Sequence, residues 1–220
     1  TGQWLRTLVG HSNLVRSVAF SHNGMYIATA SYDGQAGLWY AQSGQRIRFL
    51  REGGEIMNDV AFSADDRLLA TASDDNVVRL WRVDNGERIT VITGHSAPVE
   101  RVAFSPDGST LATSSSDKTA RLWDPDNATT LYTFTEHTNQ IIGLAYDFTG
   151  QRLATAGMDG RIVIHDLVTG QAIQELSAKG ALYGVAFSPD GKYILTVGQN
   201  DDIGIQALAV EDLVAQARRR

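Results

Sequence analysis

The sequence predicts an all-β chain built as an array of five similar four-stranded units. Three observations carry this. Asp33, Asp75, Asp117 and Asp159 recur at a constant interval of 42 residues, and Asn200 continues the series one residue short. A period in the forties marks a repeat architecture whose single unit cannot bury its core face alone. Short apolar runs alternate with turn signals along the chain, and no helical period runs for three turns before residue 207.

Each unit opens with a short apolar strand: Val18-Ala19-Phe20, Val60-Ala61-Phe62, Val102-Ala103-Phe104 and Val185-Ala186-Phe187 place alternate side chains on one face. A tight turn follows. In Ser105-Pro106-Asp107-Gly108 and Ser188-Pro189-Asp190-Gly191 the Pro presets φ at the first corner, and the Gly accepts the left-handed position that closes the turn. The second strand runs to an Asp turn, with Asp33-Gly34 and Asp159-Gly160 as hairpin signals. The third strand ends at Trp39, Trp81 or Trp123. Stretches such as ERITVITGH and TTLYTFTEH between units supply a fourth strand. Residues 1–9, TGQWLRTLV, match that fourth strand, whereas the fifth unit stops after its third strand near Ala207. The expected organisation is therefore a repeat array over 1–207 and a separate tail over 208–220. In the tail Val210, Leu213, Val214 and Ala217 fall on one helical stripe, with acids in the first turn and arginines in the last. A short amphipathic helix on the last unit is expected; arginines on an anionic surface are the sharper alternative.

Composition narrows the function classes. The 220 residues suffice for one sizeable core, and the 21 glycines suit a turn-rich β protein. Without Cys there is no disulfide framework and no thiolate metal site, which suits a reducing compartment; a cytoplasmic location is expected. No stretch is long and apolar enough to span a membrane as a helix. A net charge of −6 and the lack of a basic stripe argue against nucleic-acid binding. The chain lacks an initial Met and begins inside the repeat pattern, which suggests a fragment or a processed product.

The units align as 10–40, 52–82, 94–124, 136–166 and 177–207, the third reading GHSAPVERVAFSPDGSTLATSSSDKTARLWD. With a GH near the start and a WD closing the third strand, the pattern resembles the WD40 repeat family over nearly the whole chain. The resemblance implies a β-propeller, each blade a four-stranded antiparallel sheet. In that family an N-terminal strand completes the last blade and locks the ring, which removes an exposed sheet edge. Here it would join residues 3–9 to 203–207, with Trp4 and Leu8 burying the joint. Two arrangements stay open: a closed five-bladed ring, or part of the seven-bladed ring usual in the family. The string at 210–218, Val-Glu-Asp-Leu-Val-Ala-Gln-Ala-Arg, is similar to the C-terminal end of WD40 domains in bacterial multidomain signalling proteins, STAND-type NTPases among them.

The resemblance also assigns the repeated histidines to a buried hydrogen-bond network. Unit 1 supplies His11, Thr29 or Ser31, Asp33 and Trp39; unit 3 supplies His95, Thr113 or Ser115, Asp117 and Trp123. His, Ser and Asp also suggest a catalytic triad, but a triad would not be copied at repeat spacing, so no enzyme is expected. Unit 2 carries Gly53 in place of His beside Asp75 and Trp81. Unit 4 keeps His137 and Asp159 but has His165 for Trp, which predicts a broken network; unit 5 has Ala178, Asn200 and Gln206 at these positions. No cluster with metal-ligand spacing is visible, so neither zinc, calcium nor another cofactor is expected.

What varies where the scaffold is uniform is one face. Before the Asp turn stand Tyr32, Asp74, Ser116, Met158 and Gln199. In the first strands stand Arg16, Asn58, Glu100, Ile142 and Tyr183, followed by Ser17, Asp59, Arg101, Gly143 and Gly184. Aromatics, Met and Arg are enriched at interface hot spots. The candidate protein-binding set is Arg16, Tyr32, Asn58, Asp74, Arg101, Ile142, Met158 and Tyr183. The expected function is a non-enzymatic scaffold that binds a protein or peptide on this face. Two alternatives are a sensor that docks on an effector domain of its own parent chain and, less favoured, a propeller enzyme with a channel site.

Overall fold

A computed structural model describes residues 2–3, 5–51, 53–199 and 203–208. Blade 1 is the sheet β1 (Val15–Phe20), β2 (Tyr26–Ser31), β3 (Gln35–Tyr40), β4 (Arg46–Arg51). Blade 2 is β5 (Met57–Phe62), β6 (Leu68–Ser73), β7 (Val78–Arg82), β8 (Arg88–Ile92). Blade 3 is β9 (Val99–Phe104), β10 (Leu111–Ser115), β11 (Ala120–Asp124), β12 (Thr129–Phe134). Blade 4 is β13 (Ile141–Tyr146), β14 (Arg152–Gly157), β15 (Arg161–Asp166), β16 (Gln171–Ser177). Blade 5 has three strands among the described residues, β17 (Leu182–Phe187), β18 (Tyr193–Gly198) and β19 (Ile203–Ala207). All neighbours within a blade are antiparallel.

The turns are made by the residues the sequence singles out. At Ser105–Gly108 the Gly108 N–H donates to Ser105 O at 2.9 Å, and Gly108 takes φ 76. In blade 2 the same corner is Asp66, at φ 60. Its carboxylate accepts the His22 and Asn23 N–H groups of blade 1 at 2.7 and 2.8 Å, so the unusual residue ties two blades together.

The core lies between blades. Ala28, Ala30, Ala36 and Leu38 on the back of blade 1 meet Met57, Val60 and Phe62 on the front of blade 2. The pattern repeats with Ala70, Ala72, Val78 and Leu80 against Val99 and Val102, and with Ala112, Ala120 and Leu122 against Ile141. It ends with Ala154, Ala156, Ile162 and Ile164 against Leu182. Burying each Val, Leu or Phe contributes about 1.5–3 kcal/mol, and the small alanines let the sheets approach. The first strands β1, β5, β9, β13 and β17 are successive neighbours and line the inner rim.

Of the two arrangements the sequence leaves open, the closed ring is not seen among the described residues. Residues 5–9 form no strand, and β19 pairs with β18 alone among the described residues. Val18 and Phe20 at one end and Ile203 and Ile205 at the other are exposed. Among the described residues the five blades form an open array. The reason is that the N-terminal segment keeps its repeat position against blade 1. A Cβ at Gly44 would meet Arg6 Cδ at 2.7 Å and Leu8 Cδ2 at 3.1 Å, as one at Gly86 would meet Arg48 and Leu50 of β4 at 2.7 and 3.2 Å. Trp4, Asn200 and the tail stripe Val210, Leu213, Val214 and Ala217 lie outside the described residues.

Blade 4 departs from its neighbours at the first turn. Asp147 stands where the others have Ser, and Arg152 Nε donates to its Oδ2 at 3.1 Å with both side chains buried. Arg152 Nη2 also donates to Gly191 O of blade 5 at 3.0 Å, and the guanidinium lies 5.1 Å from the Phe187 ring centre. Removing one partner of a buried ion pair strands the other. Asp147→Ser should lower stability by about 3–5 kcal/mol. The double variant Asp147→Ser/Arg152→Leu, which copies Ser63 and Leu68 of blade 2, should recover most of it. Urea denaturation of the three proteins checks this.

Candidate functional site

Two sets of residues converge on the blades: a buried polar chain within each, and a rim residue at each first strand. In blade 1 Trp39 Nε1 donates to Thr29 Oγ1 at 3.0 Å, Thr29 Oγ1 lies 2.7 Å from His11 Nε2, and His11 Nδ1 lies 2.9 Å from Asp33. Blade 3 repeats this with Trp123, Thr113, His95 and Asp117 at 2.9, 2.7 and 2.8 Å. An indole N–H only donates, so the Thr hydroxyl hydrogen is left for His Nε2, and Nδ1–H points at the carboxylate. The second-strand partner is thus Thr29 or Thr113. Ser31 and Ser115 instead accept the N–H groups of Asp33 and Asp117, at 3.1 and 3.0 Å, and brace the turn.

Burial pushes the Asp117 carboxyl up, but bonds from His95, Thr119 and the Ser96 N–H outweigh it and hold it well below the usual range. Asp33 and Asp159 are lowered likewise: burial is overcome by the Ser12 N–H and His11 in one, and by the Thr138 and Arg161 N–H groups and His137 in the other.

Blades 2 and 4 reach the same end by other residues. In blade 2 the space left by Gly53 is taken by Arg79, whose Nη2 and Nη1 donate to Asp75 at 2.5 and 3.2 Å, while Trp81 still donates to Thr71 at 3.0 Å. Sequence reasoning missed Arg79 because it lies on the third strand, outside the aligned marker positions. In blade 4 the network is not broken, which corrects the expectation. His137 joins Asp159 at 3.0 Å and Thr155 at 2.9 Å, and His165 Nε2 sits 3.2 Å from Thr155 Oγ1 in the place of the indole. His165 is fully buried, 4.1 Å from the Phe134 ring. Burial, with the neighbouring His137, drops its pKa to about 3 and keeps it neutral.

At the rim, one structural device recurs five times. The pairing of each first strand with its second skips one residue: Arg16, Asn58, Glu100, Ile142 and Tyr183. A β-bulge of this kind frees a residue from the ladder and re-aims its side chain.

On blades 1–3 these residues bond to one another. Arg16 donates to Asn58, and through Nη2 to Glu100 at 2.7 Å. Asn58 Nδ2 donates to Asp74 at 2.7 Å and to Val99 O at 3.0 Å. Ser116 donates to Glu100 at 2.6 Å. Behind them Ser17 donates to Asp59 at 2.5 Å, and Arg101 lies 3.6 Å from Asp59. Burial raises the Asp59 carboxyl against the pull of Arg101, Ser17 and the Val102 N–H. Asn58 is fully buried here, so this candidate is part of an inter-blade clamp and not a free contact residue.

On blades 4 and 5 the rim is apolar. Ile142 and Met158 are half-buried, and Tyr183 is exposed. Gly143 lets β17 approach, since a Cβ there would meet Gly184 C at 3.1 Å. Tyr32 is exposed on blade 1, and because the array is open it lies at the opposite end from Met158 and Tyr183 instead of beside them. Among the described residues no three His, Asp or Glu side chains gather as metal ligands would, and no helix is long and apolar enough to cross a membrane.

The WD40 family model, described as "WD domain, G-beta repeat", matches residues 2–40, 44–82, 86–124, 128–166 and 170–204. No curated protein matches the chain.

Two measurements follow from the network. His95→Ala strands a buried carboxylate and hydroxyl and should lower stability by about 1–3 kcal/mol. His165→Ala should cost a comparable amount, because His165 holds the place of the indole; denaturant midpoints of the two variants decide this. The second is pH dependence. His165 titrates near 6.5 when unfolded and about 3 when folded, so between those values the unfolded chain binds the extra proton. Its contribution is complete above pH 6.5 and declines as pH falls. The network aspartates act lower, their folded values lying below 3.8. Replacing His165 with Gln, the residue at Gln206 of blade 5, should flatten the stability profile between pH 6.5 and 3.8 in thermal melts.

Proposed function

The chain belongs to the WD40 repeat family, whose repeats generally act as protein–protein interaction scaffolds, and we propose that it is a non-enzymatic scaffold that captures a protein or peptide on its inner-rim face. The observation that carries this is the repeated bulge. It presents one variable residue per blade on a uniform frame, apolar on blades 4 and 5 (Ile142, Tyr183) and bonded into a polar clamp on blades 1–3. A partner would anchor an apolar or aromatic side chain at Ile142, Met158 and Tyr183, and meet Arg16, Asp74 and Arg101 along the clamp. His11, His95 and His137 are each held on both ring nitrogens at repeat spacing, which favours a structural role.

Selection of displayed peptides on the immobilised chain, followed by affinity measurement, tests the proposal. Tyr183→Ala and Met158→Ala should each weaken a selected peptide about tenfold, or ~1.4 kcal/mol, with the thermal melt nearly unchanged. Arg88→Glu on the outer strand β8 should leave binding intact. Loss on Arg88→Glu alone would move the site to the outer rim.

A further inference from the structure

At the entry to the second strand four blades carry a large side chain and blade 3 does not. Tyr26, Leu68, Arg152 and Tyr193 hold this position in blades 1, 2, 4 and 5, and Thr110 holds it in blade 3. In blade 1 Tyr26 packs with Ile47 onto the core that contains Leu38 of the same blade and Val83 of blade 2, and Val83 is 6% exposed. Two repeats on, the counterparts Leu122, Leu131 and Leu167 instead line, with Thr110, a groove of about 320 Å³ between blades 3 and 4. Leu131 is 46% exposed there, and Leu167 is only half-buried. Both walls lie inside the array, between two four-stranded blades.

The walls are held in place. Leu131 is the residue that β12 skips in pairing with β11, since Leu122 faces Tyr132 and Trp123 faces Thr130. A bulge re-aims its side chain, and Leu131 lines the groove together with Tyr132. Tyr132 donates to Val168 O across the joint at 3.3 Å, and its ring lies against Gly170, where a Cβ would have no room. Val168, also on the lining, is 64% exposed.

The charge beside the groove has one sign. Asp124 stands where blade 1 has Tyr40, whose ring centre is 6.0 Å from that of Tyr26. Asp107 accepts the N–H and the hydroxyl of Ser109, a lining residue, at 3.0 and 2.8 Å. The Ser105 hydroxyl and the Ser109 N–H hold the Asp107 carboxyl below its usual range, and the Asn127 side chain and N–H do so for Asp124. Among the described residues no Lys or Arg lines the groove. The hollow between blades 1 and 2 is walled instead by Arg67, Arg82 and Asp84, and that between blades 2 and 3 by Asp65 and Asp126.

We infer that the groove between blades 3 and 4 is a second docking site, which takes one aromatic side chain of a partner peptide whose flanking residues are basic. The ring occupies the place that Tyr26 fills from within in blade 1, and the basic neighbours meet Asp107 and Asp124. This site is separate from the inner rim. Gln151 on its lining precedes β14, whereas Met158 follows β14 at the other end of the strand.

Methyl NMR of the chain, titrated with the peptide acetyl-Lys-Arg-Tyr-Arg-Lys-amide, tests this. The methyl signals of Leu131, Leu167 and Val168 should shift and saturate. Exchanging the peptide's Tyr for Ala, or its basic residues for Glu, should weaken binding about tenfold or more. Val168→Asp, at an exposed site, copies Asp84 of blade 2 and should weaken binding by about the same factor with the thermal melt unchanged. Thr110→Tyr puts a ring into the groove from within and should abolish binding. Tyr183→Ala on the inner rim should leave it intact. Absent methyl shifts, equal binding of the Tyr and Ala peptides, or full binding by Val168→Asp would each overturn the inference. Free p-cresol bound as tightly as the peptide would overturn it in favour of a small aromatic ligand. A wild-type mass above 23.9 kDa that Val168→Asp brings back to that value would overturn it in favour of a second copy.

Discussion

Each sheet of this chain is apolar on both faces, and neither face can be covered from within. At each internal joint the back of one blade, rich in small residues, receives the apolar front of the next. The alanines matter as much as the large residues, because Ala28, Ala30, Ala70 and Ala72 are what let two twisted sheets approach to core density. Everything else in the structure depends on that repeated contact. It sets the first strands side by side on the inner rim.

The polar chain through each blade solves a second problem that the first creates. Close packing buries Thr29, Thr71, Thr113 and Thr155, and a buried hydroxyl without partners is costly. An indole donates to it in three blades and an imidazole in the fourth. The turn carboxylate faces the same demand and is met by His in three blades and by Arg79 in blade 2. What persists is a donor into the Thr and a partner for the Asp. The residue that supplies them changes, so the marker pattern in the sequence understates how far the network extends.

The inner rim separates scaffold from surface. A bulge costs one ladder pairing and returns one side chain whose identity the sheet does not constrain. On blades 1–3 that freedom is used between blades, with Arg16 reaching across 84 residues of sequence to Glu100. On blades 4 and 5 it is left facing outward as Ile142 and Tyr183. One device therefore gives a rigid polar arc and an apolar patch on the same face, the arrangement in which a partner gains from a preorganised surface.

The repeat period, the strand order within each blade, the turn chemistry and the His–Asp pairing were legible in the sequence, because each depends on residues within one unit. Asp33 and His11 meet through a single hairpin, and Ser105–Gly108 closes its turn with its own atoms. The eight rim candidates were legible as variable positions. Which of them bond to each other was not: Asn58 touches Arg16, Asp74 and Val99 only because three blades converge there. Arg79 in the space beside Gly53, and His165 in the place of an indole, were decided by volume and by which atoms face a buried hydroxyl, and spacing does not record either. Closure belongs to the tertiary structure as well. Each joint adds a small rotation, and whether the fifth back reaches the first front depends on the sum of four of them. Alternating apolar residues determine which faces pack, but the angle at which they pack is set by the side chains that interlock across them.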